Sequence, residues 1–309
     1  MAKTTKISKV FGKVIVSLFL IILGVLALGA LTVAVLFSWL DKTNGKMVSS
    51  GQERTYLYHV PLTYDPAKPA PLVISIHGFA EWPAHQMQIS GWNDLADKFG
   101  FIVVYPSGTR FPRRWQTRGD SRRDVIFISD LIDELERQYN IDPRRIYANG
   151  LSNGGGMSYL LGCTLSDRIS AVGGVSGAYA YPLEDCKPTR PVPMIAFHGT
   201  SDPIVPYQGE PARDSEVPLP NIPDWMAARA EINSCAASPT QLPAHGEVSG
   251  IKYSGCAHGA DVIFYTIQGG GHAWPGGEPM PAWIVGYTTQ DINATQVMWE
   301  FFSQFSIGD

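Results

Sequence analysis

Gly150-Leu151-Ser152-Asn153-Gly154 closes the apolar run of residues 145–148 and opens a stretch of small residues, so a strand runs into a sharp turn and the turn into a helix. A serine held on such a strained turn needs small residues two places before and two places after it, and glycine fills both. Ser152 is therefore a candidate nucleophile. Because the same pentapeptide pattern also occurs in ordinary Gly/Ser loops, the assignment depends on what the rest of the chain supplies.

A serine hydroxyl needs a base to take its proton and an anion to orient and stabilise that base once it is charged. The apolar run 192–197 leads into His198-Gly199-Thr200-Ser201-Asp202, and the run 262–267 leads into Gln268-Gly269-Gly270-Gly271-His272. Taken singly, Asp202 would be a turn former before Pro203 and His272 a loop histidine. Standing after successive strands in the order Ser152, Asp202, His272, they match the chain order of α/β-hydrolase triads. His77, His198 and His258 are weaker candidates for the base. Acyl transfer also needs two donors for the developing oxyanion. These are assigned to the backbone N–H of Asn153 and, in the loop His77-Gly78-Phe79-Ala80, to that of Phe79, with Ala80 as the alternative.

The surrounding pattern fits that chemistry. Strands are expected at 55–62, 72–76, 101–105, 171–175, 192–197 and 262–267 besides the one ending at Ser152. Ile128, Leu131, Ile132, Leu135 and Tyr139 recur at the spacing of one helix face. A further helix should follow Ser152, and another should run behind Thr289 or Asp291 to Phe305. Short apolar strands alternating with helices imply the α/β-hydrolase class: a mostly parallel central sheet with helices on both faces and its site at the carboxyl ends of the strands. The proline-rich stretches 203–223 and 273–286 should be surface loops beside that site.

Residues 1–13 carry four lysines, residues 14–40 are an uninterrupted apolar run, residues 41–53 read as a polar tether, and residues 54–309 as one catalytic domain. The run outlasts the apolar core of a typical signal peptide and is read as an uncleaved, single-pass transmembrane signal anchor with its N-terminus in the cytoplasm. A cleaved leader would equally export the domain. The first 46 residues hold six of the 24 basic side chains and one of the 28 acidic ones, leaving 18 against 27 beyond them. An acidic exported domain excludes nucleic acid as a natural partner, and membrane contact is expected through the N-terminal helix alone.

Cys163, Cys186, Cys235 and Cys256 include no C-x-x-C pair. In an oxidising compartment an even count reads as two disulfides; pairing neighbours joins Cys163 to Cys186 and Cys235 to Cys256, one of three possible connectivities. No H-E-x-x-H motif and no Lys-Ser/Thr after the glycines calls for zinc or a nucleotide, so no metal or cofactor is expected.

Five ordered stretches together resemble the polyhydroxybutyrate depolymerase and feruloyl esterase family of secreted serine esterases: His77-Gly78, Gly91-Trp92-Asn93-Asp94-Leu95-Ala96 leading to Tyr105-Pro106, Gly150 to Gly155, His198 to Asp202, and Gly269-Gly270-Gly271-His272-Ala273-Trp274-Pro275-Gly276-Gly277. The resemblance runs from about Thr55 to Phe305. It implies Ser152, Asp202 and His272 as the triad, supports both neighbour disulfides, and places Trp274 beside the site. Phe79-Ala80-Glu81-Trp82 departs from the family's Gly-rich continuation, and a membrane anchor replaces its usual cleaved leader. The expected reaction is hydrolysis of small-molecule, polysaccharide-linked or oligomeric carboxylic esters, of feruloyl, acetyl or hydroxyalkanoate type, through an acyl-Ser152 intermediate. Trp82, Trp115 and Trp274 are expected to be exposed aromatics that contact substrate. Depolymerisation of polyhydroxybutyrate oligomers is the alternative within the same chemistry. A serine peptidase and a non-catalytic anchored binding module are the alternatives outside it.

Overall fold

Leu72, Ile74 and Ile76 face one side of the first buried strand and Val73 faces the other, all without solvent exposure. A strand apolar on both faces needs a layer of structure over each. The computed structural model describes residues 18–32, 42–119, 121–210 and 218–308, and it shows both layers.

The strands are β1 (Gly45–Ser49), β2 (Gln52–His59), β3 (Ala70–Ile76), β4 (Ile102–Pro106), β5 (Ile141–Leu151), β6 (Ala171–Val175), β7 (Met194–Gly199), β8 (Thr240–His245), β9 (Val248–Tyr253) and β10 (Val262–Ile267). They form one sheet in the order β1-β2-β4-β3-β5-β6-β7-β10-β9-β8. From β4 to β10 every pairing is parallel, while β1–β2, β2–β4, β10–β9 and β9–β8 are antiparallel. The parallel centre is the part that the apolar runs predict.

Residues 18–32 form helix α1. The other helices are α2 (Pro83–Ser90), α3 (Trp92–Phe99), α4 (Arg122–Gln138), α5 (Asn153–Thr164), α6 (Ile222–Ile232), the single turn α7 (Ala282–Val285) and α8 (Ala294–Phe302). On one face, Ile128, Leu131, Ile132 and Leu135 of α4 pack with residues of α5 and α6 against Leu72, Ile74 and Ile76. Each such buried side chain contributes about 1.5–3 kcal/mol. On the other face, Trp92 of α3 and Met298, Trp299 and Phe302 of α8 cover Val73, Val103 and Tyr105. Both layers of the α/β-hydrolase class are thus present.

Two differences from the sequence reading have physical causes. Residues 45–49, read within the tether, form β1, whose register with β2 runs from Gly45 opposite Tyr56 to Ser49 opposite Gln52. Its polar, half-exposed composition hides an edge strand. The β8–β9 hairpin was not expected either, because β8 is almost wholly exposed and carries Pro243, a residue tolerated at a sheet edge. The chain divides into two compact units, residues 1–42 and 43–309. Among the described residues no helix is long and apolar enough to cross a membrane. Of the expected anchor, α1 is described, while residues 14–17 and 33–40 lie outside the described residues. Both neighbour disulfides are formed, Cys163–Cys186 and Cys235–Cys256.

Candidate active site

β5, β6, β7 and β10 are adjacent and parallel, so the loops that follow β5, β7 and β10 leave one rim of the sheet. Those loops carry Ser152, Asp202 and His272.

Ser152 has φ 55° and ψ −118°, a left-handed conformation that a side chain disfavours. Its backbone is held on three sides. Its N–H donates to the Val175 carbonyl, and its own carbonyl accepts from the amides of Gly156 and Ala178, all at 2.9–3.0 Å. The turn is so tight that a Cβ at Gly150 would stand 2.5 Å from the Ile76 carbonyl oxygen, and one at Gly154 2.1 Å from it. This is the steric reason for the two glycines of the opening motif.

The Asp202 carboxylate is buried and saturated. Oδ1 accepts from the amides of Ile204 and Val205 at 2.9 and 2.8 Å, and Oδ2 accepts from His272 Nδ1 at 2.8 Å. Burial alone would raise its pKa. The His272 hydrogen bond, the charges of His272 and His198, and the Val205 amide outweigh that and hold it below the usual carboxylate range. With Nδ1 donating to Asp202, the His272 ring presents the lone pair of Nε2 as a base. The structure joins Asp202 to His272 but forms no hydrogen bond to Ser152 Oγ among the described residues.

His198 and His77 are otherwise occupied. His198 is buried and lies 2.8 Å from the Val205 carbonyl through Nε2, and burial lowers its pKa. His77 Nε2 accepts from the Gly108 amide at 2.9 Å, so the ring proton is on Nδ1 and donates to the Gly78 carbonyl at 2.7 Å. Burial pushes its pKa down to about 4. His258 is exposed.

That neutral imidazole sets the loop expected to carry the second oxyanion donor. With the Gly78 carbonyl fixed by His77, the trans peptide points the Phe79 N–H the opposite way. The Gly78 N–H donates to Glu81 Oε2 at 2.8 Å. Ala80, the alternative donor, gives its N–H to the Arg113 carbonyl at 2.7 Å. The amides of Phe79 and Asn153 make no hydrogen bond among the described residues, Asn153 being the first residue of α5.

Two of the three tryptophans require correction. Trp115 is 2% exposed and Trp274 1%, so neither presents a face to substrate. Trp115 Nε1 donates to the His77 carbonyl and Trp274 Nε1 to Thr295 Oγ1, which makes both of them supports of the rim. Trp82 is half-buried at the N-terminus of α2. Sequence reasoning missed exposed aromatics on the loops of the site: Phe79 at 52%, Trp283 at 86% and Tyr287 at 53%. Trp283 lies in the single turn α7, inside a proline-rich stretch with no periodicity to mark it. Its segment is tied to the His272 loop by the hydrogen bonds from the His272 amide to the Val285 carbonyl and from the Gly271 amide to the Tyr287 carbonyl. Glu81 was signalled by the departure from a Gly-rich loop, without its role.

Residues 56–186 match the family model described as esterase PHB depolymerase. The chain is 31% identical over 251 residues to a bifunctional acetylxylan esterase/xylanase of Neocallimastix patriciarum, an alignment covering 81% of this chain and 33% of that protein. It is 28% identical to feruloyl esterase C of Emericella nidulans, covering 84% of this chain and 87% of the other.

The chain resembles the polyhydroxybutyrate depolymerase and feruloyl esterase family.

An acetyl xylan esterase structure from Aspergillus awamori superposes with a TM-score of 0.55 at 16% identity, covering 81% of this chain and 94% of that one, and so shares the fold. The family model runs from Tyr56, within β2, to Cys186, and therefore includes both the turn at Ser152 and the His77–Glu81 loop. The chain spans only a third of the Neocallimastix relative's length.

Proposed function

We propose that this chain is an exported carboxylic-ester hydrolase in which Ser152, His272 and Asp202 act as a triad. The observation that carries it is the 2.8 Å contact of His272 Nδ1 with Asp202 Oδ2 at the rim where the strained Ser152 turn emerges. His272 Nε2 takes the proton of Ser152 Oγ as that oxygen attacks the ester carbonyl carbon. The resulting oxyanion accepts hydrogen bonds from the amides of Asn153 and Phe79, each worth roughly 3 kcal/mol in the transition state. The His272 imidazolium, balanced by Asp202, then protonates the departing alkoxide. Water repeats the sequence on the acyl-Ser152 ester and restores the free enzyme. The Ser152–His272 hydrogen bond forms in this reading when substrate closes the site, as catalytic hydrogen bonds often do.

Substrates are esters of feruloyl or acetyl type attached to small molecules or polysaccharides. Phe79, Trp283 and Tyr287, together with Ile204 two residues after Asp202, expose apolar surface on the loops bearing the proposed catalytic groups. An aromatic acyl group suits that surface better than acetyl does. The family description supports a second substrate, hydroxybutyrate oligomers. Turnover of methyl ferulate, p-nitrophenyl acetate, p-nitrophenyl butyrate and hydroxybutyrate oligomers ranks these, with a peptide anilide as contrast. A fluorophosphonate probe should label Ser152. Labelling of a different serine, or failure to turn over any ester, overturns the reading.

Residues 14–40 are proposed to hold the domain at a membrane, with the N-terminal lysines on the cytoplasmic side. The apolar run and the two disulfides, which persist in oxidising compartments, support this arrangement. Retention in the membrane fraction after alkaline carbonate extraction is expected. Recovery of a shortened chain in the medium would instead mark a cleaved leader.

A further inference from the structure

The chain carries a formal net charge of −4, yet six of the residues between Thr109 and Asp124 are arginine. Part of this segment and the start of β2 enclose a cavity of about 290 Å³. Its charged lining is Arg54, Arg110, Arg123 and Asp124, and the rest is glutamine and threonine, with no apolar side chain.

The charges do not cancel. Arg54 and Asp124 are buried together: Asp124 Oδ1 accepts from the Arg54 guanidinium at 3.0 Å and Oδ2 from the Gln116 amide at 2.8 Å. That carboxylate is fully engaged. The guanidinium groups of Arg110 and Arg123 are exposed at the cavity and have no hydrogen-bond or ion-pair partner among the described residues, outside which Asp120 falls. Arg110 also has φ 75°, a conformation that a non-glycine residue rarely keeps without support. An all-polar cavity with two uncompensated guanidinium groups suits an anion that accepts several hydrogen bonds, and repels an apolar acyl chain.

Its position ties it to the rim. The segment that forms the cavity touches the proposed catalytic loops through the Gly108 amide on His77, the Arg113 carbonyl on the Ala80 amide, and the Trp115 backbone on the Asn153 side chain. Gln116, which lines the cavity, directly follows Trp115. With about 3.8 Å between successive Cα atoms, the cavity lies on the order of 10 Å from the residue after Ser152. A group on a unit adjoining the esterified one can reach it.

We propose that this cavity binds a carboxylate carried by the non-acyl part of the ester, with Arg110 and Arg123 as its anchors, so that esters borne on uronate-containing oligosaccharides are preferred over neutral ones. The proposal rests on the esterase reading. It adds a carrier to that reading, since the triad and the aromatic rim concern only the acyl side.

The test compares acetylated xylo-oligosaccharides with and without a glucuronic acid branch, which share the scissile ester. The uronate form should have a kcat/KM about tenfold higher, expressed in KM, and 0.5 M NaCl should remove most of that advantage because exposed charges are screened within about 4 Å at such ionic strength. Arg110→Gln with Arg123→Gln should abolish the preference while leaving p-nitrophenyl butyrate turnover and the melting temperature unchanged. Equal kcat/KM for the two oligosaccharides, or a preference that survives in the double variant, overturns the proposal. Calorimetric titration of the deacetylated oligosaccharides tests the cavity without turnover. If no ester is hydrolysed but the uronate form binds and the double variant does not, the cavity stands while the esterase reading falls. If the wild type does not bind it, the cavity proposal falls.

Discussion

Asn153 grips both backbone groups of Trp115: its Oδ1 accepts from the Trp115 N–H at 2.7 Å and its Nδ2 donates to the Trp115 carbonyl at 3.1 Å. Trp115 in turn donates its indole N–H to the His77 carbonyl at 3.0 Å. The residue after the proposed nucleophile is thus connected through one buried indole to the loop bearing the other unpaired amide. Asn153→Ala keeps the backbone N–H and removes the grip. Partly buried hydrogen bonds are worth about 0.5–1.5 kcal/mol each, so the variant should lose roughly 1–3 kcal/mol by urea denaturation. A roughly tenfold fall in kcat with a smaller change in KM is expected if the grip also keeps the two amides in register. An unchanged kcat in a destabilised protein would reduce Asn153 to a structural role.

The conformation of Ser152 gives a test that separates strain from chemistry. At φ 55° and ψ −118°, alanine suffers the same backbone conflict as serine, whereas glycine does not. Ser152→Ala and Ser152→Gly should both lose about four to six decades of esterase rate. Ser152→Gly should be the more stable of the two by about 1–2 kcal/mol, even though glycine usually destabilises. Calorimetric melting of the pair reads the difference. Equal stabilities would mean that the turn stores no strain.

The disulfides close loops of 23 and 21 residues and bracket different parts of the fold. Cys163–Cys186 ties the end of α5 to the segment before β7, and Cys235–Cys256 ties the end of α6 to the segment before β10. Loops of that length correspond to roughly 3 kcal/mol each on the chain-entropy model. Melting in a phosphine reductant should therefore fall well below melting in buffer, with thiol counting to confirm four free sulfhydryls. Cys163→Ala with Cys186→Ala should reproduce about half of the loss.

The sequence made the parallel centre of the fold legible because each central strand is apolar on both faces, as in Leu72 to Ile76, and no other placement satisfies such a run. It made the common rim of Ser152, Asp202 and His272 legible because each lies in the loop that follows a parallel strand, at one, three and five residues from its end. The edges escaped because β1 and β8 are half or wholly exposed and carry no buried stripe. The aromatic assignments failed for a related reason. Trp115 and Trp274 occur near catalytic motifs, but proximity in sequence does not say which way an indole faces, and both face inward to donate hydrogen bonds. The grip of Asn153 on Trp115 spans thirty-eight positions and leaves no periodic trace.

Burial of His77 makes one region of the site sensitive to acid. Its pKa is about 4 in the folded chain against about 6.5 for a free imidazole, and the dominant cause is desolvation. A histidine lowered on folding binds its proton more readily in the unfolded chain, so the stability it contributes is present above pH 6.5 and is lost as pH falls toward 4. At about 1.36 kcal/mol per unit, the loss across that window is roughly 3 kcal/mol. Protonation would also place a second N–H on Nε2, opposite the Gly108 amide that now donates to it, and push apart the segment that holds Ala80 and Trp115. Denaturation free energies measured from pH 7 to pH 4 should fall more steeply in the wild type than in His77→Gln, whose amide oxygen can still accept from Gly108. Ring-carbon NMR of labelled histidine should show His77 neutral at pH 5. A His77 signal titrating near 6.5 in the folded protein would show that the imidazole is solvated, and the proposed aiming of the Phe79 amide would lose its support.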